Sequence, residues 1–418
     1  MITPSPLRRW LWMLFAFATF ALSVDFLRDE LFLVGSPEVD RRAWAQLEEV
    51  AAPLAAILLG LPFGVLIDRV RRRNVLIAIA LLGTAALASV AAADSAGLLG
   101  VPQLFTVLMV TTALGALAPI GSETYLPSVV GRERLVTANA LLSVSPPLIM
   151  FALAAALSLA DHLDEAGFLI VVGALMAVAA LAFRGVAAVE EPPPPRTGFW
   201  REAAEGVRFT VREPALRAIA VYLVVSELFE QVAHEVLNET RQAAAAAGDL
   251  SMGYFYSLMS TFSSFASLLL GALLAVLLHR RLAPFRLAWA ALLVSQPFTL
   301  LLALSGTGWG QLWHAFGTFV PRTGTVIVAI LLISHRQAIT PDRLLGRVSG
   351  LLVVLVALAD RAGELLETPA EWLAGIGGPA PTPLTLLPGA ALAAALALAA
   401  AVPLMRRGAS TYVKSSSG

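Results

Sequence analysis

Twelve apolar segments, each long enough to cross a bilayer as a helix, recur along the 418-residue chain. The hydrocarbon core of a bilayer is about 30 Å thick, so a spanning α-helix needs roughly 20 apolar residues. Backbone polar groups find no water there, which restricts such single segments to helices. The sequence therefore predicts an all-α polytopic membrane protein. The segments lie near residues 10–34, 44–67, 74–96, 99–126, 138–160, 167–185, 215–238, 251–278, 287–305, 309–334, 349–370 and 384–405.

The charged residues between these segments predict the orientation of the chain. Most of its 29 Lys and Arg fall in loops on one side, whereas Arg41, Arg42 and Arg241 fall in loops on the other. Cytoplasmic loops carry an excess of such residues. We therefore expect a bacterial-type cytoplasmic (inner) membrane protein with both termini cytoplasmic. Span 1 follows Arg8 and Arg9 without a convincing cleavage site, so we expect it to be retained.

A proline-rich linker divides six spans from six. The run Glu190–Pro195 (EEPPPP) should be a stiff, exposed spacer, and an amphipathic, arginine-rich run, Phe199–Arg217, follows it. That run is typical either of a helix on the membrane surface or of an ordinary packed linker helix. We predict an N-terminal six-helix bundle (1–186), a cytoplasmic linker with an amphipathic helix (187–213), a C-terminal six-helix bundle (214–408) and a tail (409–418).

The loop between spans 2 and 3 carries a recognisable motif. Gly64-Val-Leu-Ile-Asp68-Arg69-Val-Arg71-Arg72-Arg73 resembles the G-x-x-x-D-R-x-G-R-R signature of the major facilitator superfamily, with Arg71 in place of glycine. The loop after span 8 lacks the corresponding aspartate. The resemblance implies the major facilitator fold and a conformational latch rather than a substrate site. The implied latch residues are Gly64, Asp68, Arg69, Arg72 and Arg73.

Three further stretches strengthen this resemblance. They are LPSVVGRERLVTANAL from Leu126, FWREAAEGVRFTVREPALR from Phe199 and RQAITPDRLLGRVSG from Arg336. Together they are similar to the macrolide-efflux and enterobactin-exporter-like branch of the superfamily. In that fold the helices that carry the intramembrane charges line or border a central cavity.

Ionisable residues inside the spans are the candidate substrate and proton sites. A charge at the centre of a membrane helix costs about 2.5 to 3.5 kcal/mol on insertion scales, so such groups usually face the bundle interior or water. Glu227 and Glu230 share a helix face, and carboxylates so close together should not all ionise easily, which makes them the leading proton carriers. Fixed salt bridges between helices are the alternative. The full set is Asp25, Arg28, Asp29, Glu227, Glu230, His234, Arg322, Asp360, Arg361 and Glu364.

These features predict a proton-coupled exporter of a cationic or amphipathic small molecule that works by alternating access. One alternative is a divalent metal exporter resembling ferroportin, with Asp25, Asp29, Glu230 and His234 as ligands. Another is a non-transporting membrane sensor. No HExxH, nucleophile elbow or phosphate loop indicates an enzyme, and we expect no cofactor. The expected partners are a small-molecule substrate, protons and the lipid bilayer, without nucleic acid, and the expected state is a monomer.

Overall fold

The computed structural model describes residues 6–29, 41–158, 165–186, 188, 190, 198–246, 250–304, 310–364 and 383–407. In these ranges the regular structure is helical, with no strand. The α-helices are α1 Pro6–Asp29, α2 Arg41–Asp68, α3 Arg72–Ser95, α4 Val101–Val130, α5 Leu135–Ser158, α6 Glu165–Gly185, α7 Phe199–Arg212, α8 Pro214–Ala246, α9 Leu250–Leu278, α10 Pro284–Ser295, α11 Gly310–Ile339, α12 Leu345–Glu364 and α13 Pro383–Ala400. Short 3₁₀ helices occupy Arg132–Arg134, Gln296–Leu304 and Asp342–Leu344.

The apolar composition of these helices accounts for their membrane character. Seven stretches among the described residues are long and apolar enough to cross a membrane, and two shorter apolar stretches, Trp10–Val24 and Leu169–Gly185, lie in α1 and α6. The amphipathic linker forms α7, which separates six helices before it from six after it. The helix order therefore follows the predicted order of spans.

Three helix boundaries differ from the sequence-based ones. The ninth span changes from α-helix to 3₁₀ helix at Gln296, within the sequence Gln296-Pro297, because proline removes a backbone donor. The seventh span extends as α8 from Pro214 to Ala246. The eleventh begins as α12 at Leu345, four residues earlier than predicted, because its first turn receives a carboxylate partner from α2. This last difference brings Gly346 and Arg347 into the helix.

The residues fall into two compact units, Met1–Phe209 with Gln337–Ala357 and Thr210–Arg336 with Leu358–Gly418. In the first unit, α1 packs against α4, α5 and α6, and α3 packs against α4 and α6. Its core contains an aromatic cluster in which the ring of Phe183 meets Phe17 and Phe20 edge-on, with ring centroids 5.2 and 5.5 Å apart. Phe17 also stacks on Tyr125. These large buried side chains fix the packing of α1, α4 and α6.

In the second unit, α13 packs against α8 and the 3₁₀ segment Gln296–Leu304. Helices α9 and α11 meet closely at Gly271, where an added Cβ would lie 2.7 Å from Val326 Cγ1. A polar contact accompanies them, because the hydroxyls of Ser263 and Thr318 lie 3.1 Å apart. Small residues let helix backbones approach closely in membrane proteins, where hydrophobic attraction between helices is weak.

Candidate functional site

Glycines form the contact between α2 and α12 in the first unit. Gly60 and Gly64 are four residues apart on one face of α2, as are Gly346 and Gly350 on α12. A Cβ built on Gly64 would overlap the carbonyl oxygen of Gly346, and one built on Gly350 would overlap the carbonyl oxygen of Gly60. Small residues at this spacing bring two helix backbones into direct contact. We call these four glycines, with Asp68 and Arg347, the α2–α12 junction.

Asp68 caps the N-terminus of α12. Its Oδ1 accepts a hydrogen bond of 2.9 Å from the backbone N–H of Gly346, and its Oδ2 accepts one of 3.1 Å from the N–H of Arg347. The first turn of a helix leaves N–H groups without partners and carries partial positive charge, so a carboxylate stabilises it. Asp68 is only 5% exposed. Asp68, from the first half of the sequence, therefore stabilises the N-terminus of α12, from the second half.

Arginines surround the same carboxylate. Arg72 donates to Asp68 Oδ1 over 3.4 Å and also to the backbone carbonyl of Asp342. The Nε of Arg347 lies 3.6 Å from Asp68 Oδ2. Because Asp68, Arg72 and Arg347 are all buried, their charges require mutual compensation. Sequence reasoning included Arg72 in the latch set, and it did not identify Arg347.

The linker helix α7 adds two carboxylates to this junction. Glu202 Oε2 lies 3.3 Å from Nη2 of Arg347, and Glu205 Oε2 accepts a 2.7 Å hydrogen bond from Nη1. Gly206, one turn along from Glu202, packs so closely on Arg347 that a Cβ there would lie 2.6 Å from the Arg347 Cβ. Glu205 also accepts a hydrogen bond from Arg343. The guanidinium of Arg347 is thus shared between α2 and α7.

Arg69 binds the same linker carboxylate in a two-bond geometry. Its Nε donates to Glu202 Oε2 over 2.9 Å and its Nη2 donates to Oε1 over 3.1 Å. This hydrogen-bonded carboxylate raises the pKa of Arg69 above the usual value. Paired parallel bonds of this kind fix direction as well as distance. The Asp-Arg pair of the motif therefore divides its contacts, Asp68 to α12 and Arg69 to α7.

Glu190, at the start of the proline-rich linker, caps the N-terminus of α3. Its Oε2 accepts a 2.8 Å hydrogen bond from the backbone N–H of Arg72, and its Oε1 accepts a 3.4 Å bond from the N–H of Arg73. These residues form the first turn of α3, where an acidic partner is favourable. The backbone of the arginine run is thus tied to the segment that leaves α6.

Arg132, in the loop after α4, caps the C-terminus of α11. Its guanidinium donates to the carbonyl oxygens of Gln337, Ala338 and Thr340, at the C-terminus of α11. It also forms a 2.9 Å ion pair with Asp342. The last carbonyls of a helix lack partners and carry partial negative charge, which a cation stabilises. A base therefore caps α11 close to the place where an acid caps α12.

A second charged cluster lies on α8 and α12 in the second unit. Arg361 Nη2 forms an ion pair of 3.0 Å with Asp360 and another with Glu364, one turn further on. Glu227, on α8, is half-buried and within electrostatic reach of both Glu230 and Asp360. Three of the ten predicted substrate and proton residues, Asp360, Arg361 and Glu364, thus form one ion-paired group on α12, and two more, Glu227 and Glu230, lie one turn apart on α8.

The other predicted site residues are placed less fully. Arg322 is exposed on α11, directly after Pro321. The side chains of Asp25, Arg28, Asp29 and His234 lie outside the described residues, although their backbones belong to α1 and α8. Among the residues that the structure describes, no three His, Asp or Glu side chains converge as a metal site. The metal alternative depends on three of these four residues and stays a prediction.

Several functional candidates were not identified from the sequence, although signals for some were present. The paired spacings Gly60/Gly64 and Gly346/Gly350 were visible as two small-residue repeats on different spans. Glu202 and Glu205 lay within the amphipathic run, but their partners are more than 130 positions away along the chain. Arg132 had no comparable signal, since nothing local marks it as the cap of α11.

Comparisons with known proteins agree with this architecture. The enterobactin exporter EntS of Escherichia coli is 26% identical over 319 residues, covering 72% of this chain and 71% of that protein. An uncharacterised MFS-type transporter of Sinorhizobium fredii, y4rN, is also 26% identical, over 310 residues covering 73% of this chain and 72% of that protein. The predicted resemblance to the enterobactin-exporter-like branch is confirmed.

Solved structures confirm the fold. The transporter FucP in its outward conformation superposes with a TM-score of 0.67 at 14% identity, over 94% of this chain and 97% of that one. A bacterial homologue of the iron transporter ferroportin, in an outward-facing state, superposes with a TM-score of 0.66 at 16% identity, over 96% and 98%. The all-α, twelve-helix fold predicted from the sequence is therefore confirmed. Because the sequence profile of the Major Facilitator Superfamily also matches residues 46–360, the chain belongs to that superfamily of membrane transporters.

Proposed function

We propose that this transporter is a proton-coupled exporter that moves a cationic or amphipathic small molecule by alternating access. The observation that carries the proposal is the acidic cluster on α8 and α12. Glu227, Glu230, Asp360 and Glu364 supply four carboxylates, and Arg361 supplies one guanidinium. The similarity to an enterobactin exporter supports the export direction.

The charge balance of the cluster suits exchange of a proton for a cation. Arg361 holds Asp360 and Glu364 in ion pairs, whereas Glu227 has the carboxylate of Glu230 one turn away on α8 and feels the charge of Asp360 as well. A carboxylate beside like charges is favoured to take up either a proton or another cation, because both relieve the repulsion. Competition between the two for Glu227 and Glu230 would couple inward proton movement to outward substrate movement.

The α2–α12 junction supports the alternating-access part of the proposal. It joins a helix of the first six to a helix of the last six through the Asp68 carboxylate and the glycine contacts. Opening the cytoplasmic side requires separation of the ends of these helices, so the cap on α12 must break during each cycle. Gly64, Asp68, Arg69, Arg72 and Arg73 would then act as a conformational latch, on the same cytoplasmic side as both chain termini.

A proteoliposome assay tests the coupling directly. The probe is tetraphenylphosphonium, a lipophilic cation, and the readout is probe-dependent proton movement across vesicles that contain the wild type, Glu227→Gln, Glu230→Gln or Asp25→Asn. Asp94→Asn is the matched control, because Asp94 is an exposed carboxylate at the end of α3. We expect Glu227→Gln and Glu230→Gln to abolish coupling while the control retains it. Unchanged coupling in all three site variants would overturn the proposal.

A further inference from the structure

The linker helix α7 has one buried face, which carries its contacts with the α2–α12 junction. Glu202 and Ala203 are 2% and 3% exposed, and Gly206 and Thr210 follow on the same side of the helix. At 100° per residue these positions lie within one third of the helix circumference. The orientation of α7 is therefore fixed by its ion pairs with Arg69 and Arg347.

A neighbouring face of α7 is apolar and exposed. Trp200, Ala204, Val207 and Val211 repeat at i, i+4, i+7 and i+11, which places them in one stripe along the helix. Trp200 is 77% exposed and Val211 is 56% exposed. A large exposed tryptophan within an apolar stripe is typical of an interaction surface rather than of a surface that faces only water.

Three arginines run beside this stripe. Arg201, Arg208 and Arg212 repeat at i, i+7 and i+11, all on the side of the stripe away from the buried face, and all are exposed. Their spacing places three guanidinium groups in a row along nearly the whole length of α7. Guanidinium groups bind phosphate oxygens through paired hydrogen bonds. The stripe and its arginines together have the pattern of a helix that lies in a membrane interface.

The position of α7 in the chain brings this surface to the bilayer. Arg212 lies two residues before Pro214, where the predicted seventh span begins as α8. Val211 and Arg212 are therefore at the boundary between that span and the aqueous phase. Tryptophan is enriched at this boundary because its ring is apolar and its N–H is polar.

We propose that the face of α7 formed by Trp200, Ala204, Val207 and Val211, with Arg201, Arg208 and Arg212, docks on anionic phospholipid headgroups of the adjacent leaflet. The apolar stripe enters the headgroup region, and the arginines bind the lipid phosphates. The charge of the surface selects anionic lipid over zwitterionic lipid. The assignment to the cytoplasmic leaflet rests on the orientation in the proposed function, whereas lipid docking itself does not.

Docking on lipid gives the α2–α12 junction a second support. Glu202 and Glu205 hold Arg347 on one side of α7 while the membrane holds the neighbouring apolar face of the same helix. Anionic lipid would then stabilise the arrangement in which α7 covers Arg347.

The absence of cysteine from the sequence makes a depth measurement direct. Ala204→Cys, in the middle of the stripe, is labelled with a nitroxide and placed in nanodiscs of phosphatidylcholine alone or of equal parts phosphatidylcholine and phosphatidylglycerol. The ratio of oxygen to nickel-chelate accessibility reports depth. We expect this ratio to rise several-fold with phosphatidylglycerol. A nitroxide at Ala96, exposed at the end of α3, is the control and should not respond.

The same label in a chain with Arg201→Gln, Arg208→Gln and Arg212→Gln tests the charge. We expect that variant to lose the response to phosphatidylglycerol while it unfolds in detergent at the same temperature as the unsubstituted chain, which shows that it is folded. An equal depth in both lipid mixtures would overturn the proposal, as would a response that survives in the triple variant. Spin–spin broadening that grows with protein concentration would assign the face to a second copy of the chain instead. The depth measurement needs no transport, so its failure is distinct from failure of the exporter assignment.

Discussion

The carboxylate of Asp68, at the C-terminal end of α2, accepts a 2.9 Å hydrogen bond from the backbone N–H of Gly346, in the first turn of α12. A second bond, from the N–H of Arg347, makes this carboxylate a helix cap supplied from 278 positions away along the chain. A charged acceptor at a helix N-terminus gains from both the free N–H groups and the helix dipole. The bond joins a helix from the first half of the sequence to a helix from the second half.

Neutralising Asp68 should weaken this cap without changing the volume of the side chain. We expect Asp68→Asn to reduce transport of a lipophilic cation roughly tenfold or more, because a hydrogen bond to a charged group contributes about 1.5 to 3 kcal/mol. Uptake into inverted vesicles measures the effect. Asp94→Asn, an exposed carboxylate replaced in the same way, should transport like the wild type. Equal transport by both variants would show that the cap has no role in the cycle.

Adding a methyl group to the glycine contact should separate α2 from α12. We expect Gly64→Ala to lower the thermal stability of the purified protein, since overpacking a well-packed contact costs about 1 to 3 kcal/mol, and the carbonyl of Gly346 stands where the methyl group would go. Gly173→Ala is the control, because a Cβ there meets Leu87 at an ordinary 3.7 Å. If both variants melt at the wild-type temperature, the close approach of the two backbones is not required.

Removing the charge of Glu202 should leave Arg347 buried with less compensation. We expect Glu202→Gln to destabilise the protein by roughly 3 to 5 kcal/mol, the scale for breaking a buried pair from one side. Glu205→Gln should cost less than about 1 kcal/mol, because that side chain is 40% exposed and solvent screens its charge. Thermal unfolding in detergent compares the two variants. An equal loss of stability in both would contradict the view that Glu202 compensates the charge of Arg347 more than Glu205 does.

The pair between Arg132 and Asp342 should be salt-sensitive. Its two side chains are 39% and 31% exposed, so we expect the pair itself to contribute about 1 kcal/mol or less. A double-mutant cycle of Arg132→Gln and Asp342→Asn, measured at low and at high salt, gives the coupling energy between the two side chains. Arg132→Gln alone should cost more than the coupling energy, because it also removes the bonds to the last carbonyls of α11. A coupling energy that does not change with salt would contradict this account.

Removing Arg361 should separate structural from functional charge in the second cluster. Its loss removes the ion pair that Asp360 and Glu364 each make with the same guanidinium. We expect Arg361→Gln to bind tetraphenylphosphonium more tightly and to unfold at a lower temperature, because the cluster then has acids and no base. Equilibrium binding in detergent measures the first effect. Lower stability with unchanged binding would identify these residues as a salt bridge that holds α12 together.

Local sequence carried most of the information about the fold. The apolar segments predicted the order of the spans, and the proline-rich run Glu190–Pro195 with its amphipathic continuation predicted the separate helix α7. The packed-linker alternative describes one face of α7, which packs on Arg347, whereas the membrane-surface alternative stays a prediction for the face that exposes Trp200. Hydrophobic periodicity does not distinguish a packed linker helix from a helix on the membrane surface. It identifies a polar face, but it does not show whether water or a buried arginine contacts that face.

The sequence by itself determined the class of the protein. Apolar segments of bilayer length must be helices, and the Gly64–Arg73 motif resembles the signature of the superfamily. Only the tertiary structure decided the partners of the charges. Asp68 pairs with Arg72, four residues along the chain. It also binds the start of α12, because glycine backbones let the two helices approach closely enough for a side-chain oxygen to reach an N–H. Arg361 likewise pairs with Asp360 and Glu364 on its own helix. Partner choice depends on distances between helices, and those distances are set by packing over the whole bundle.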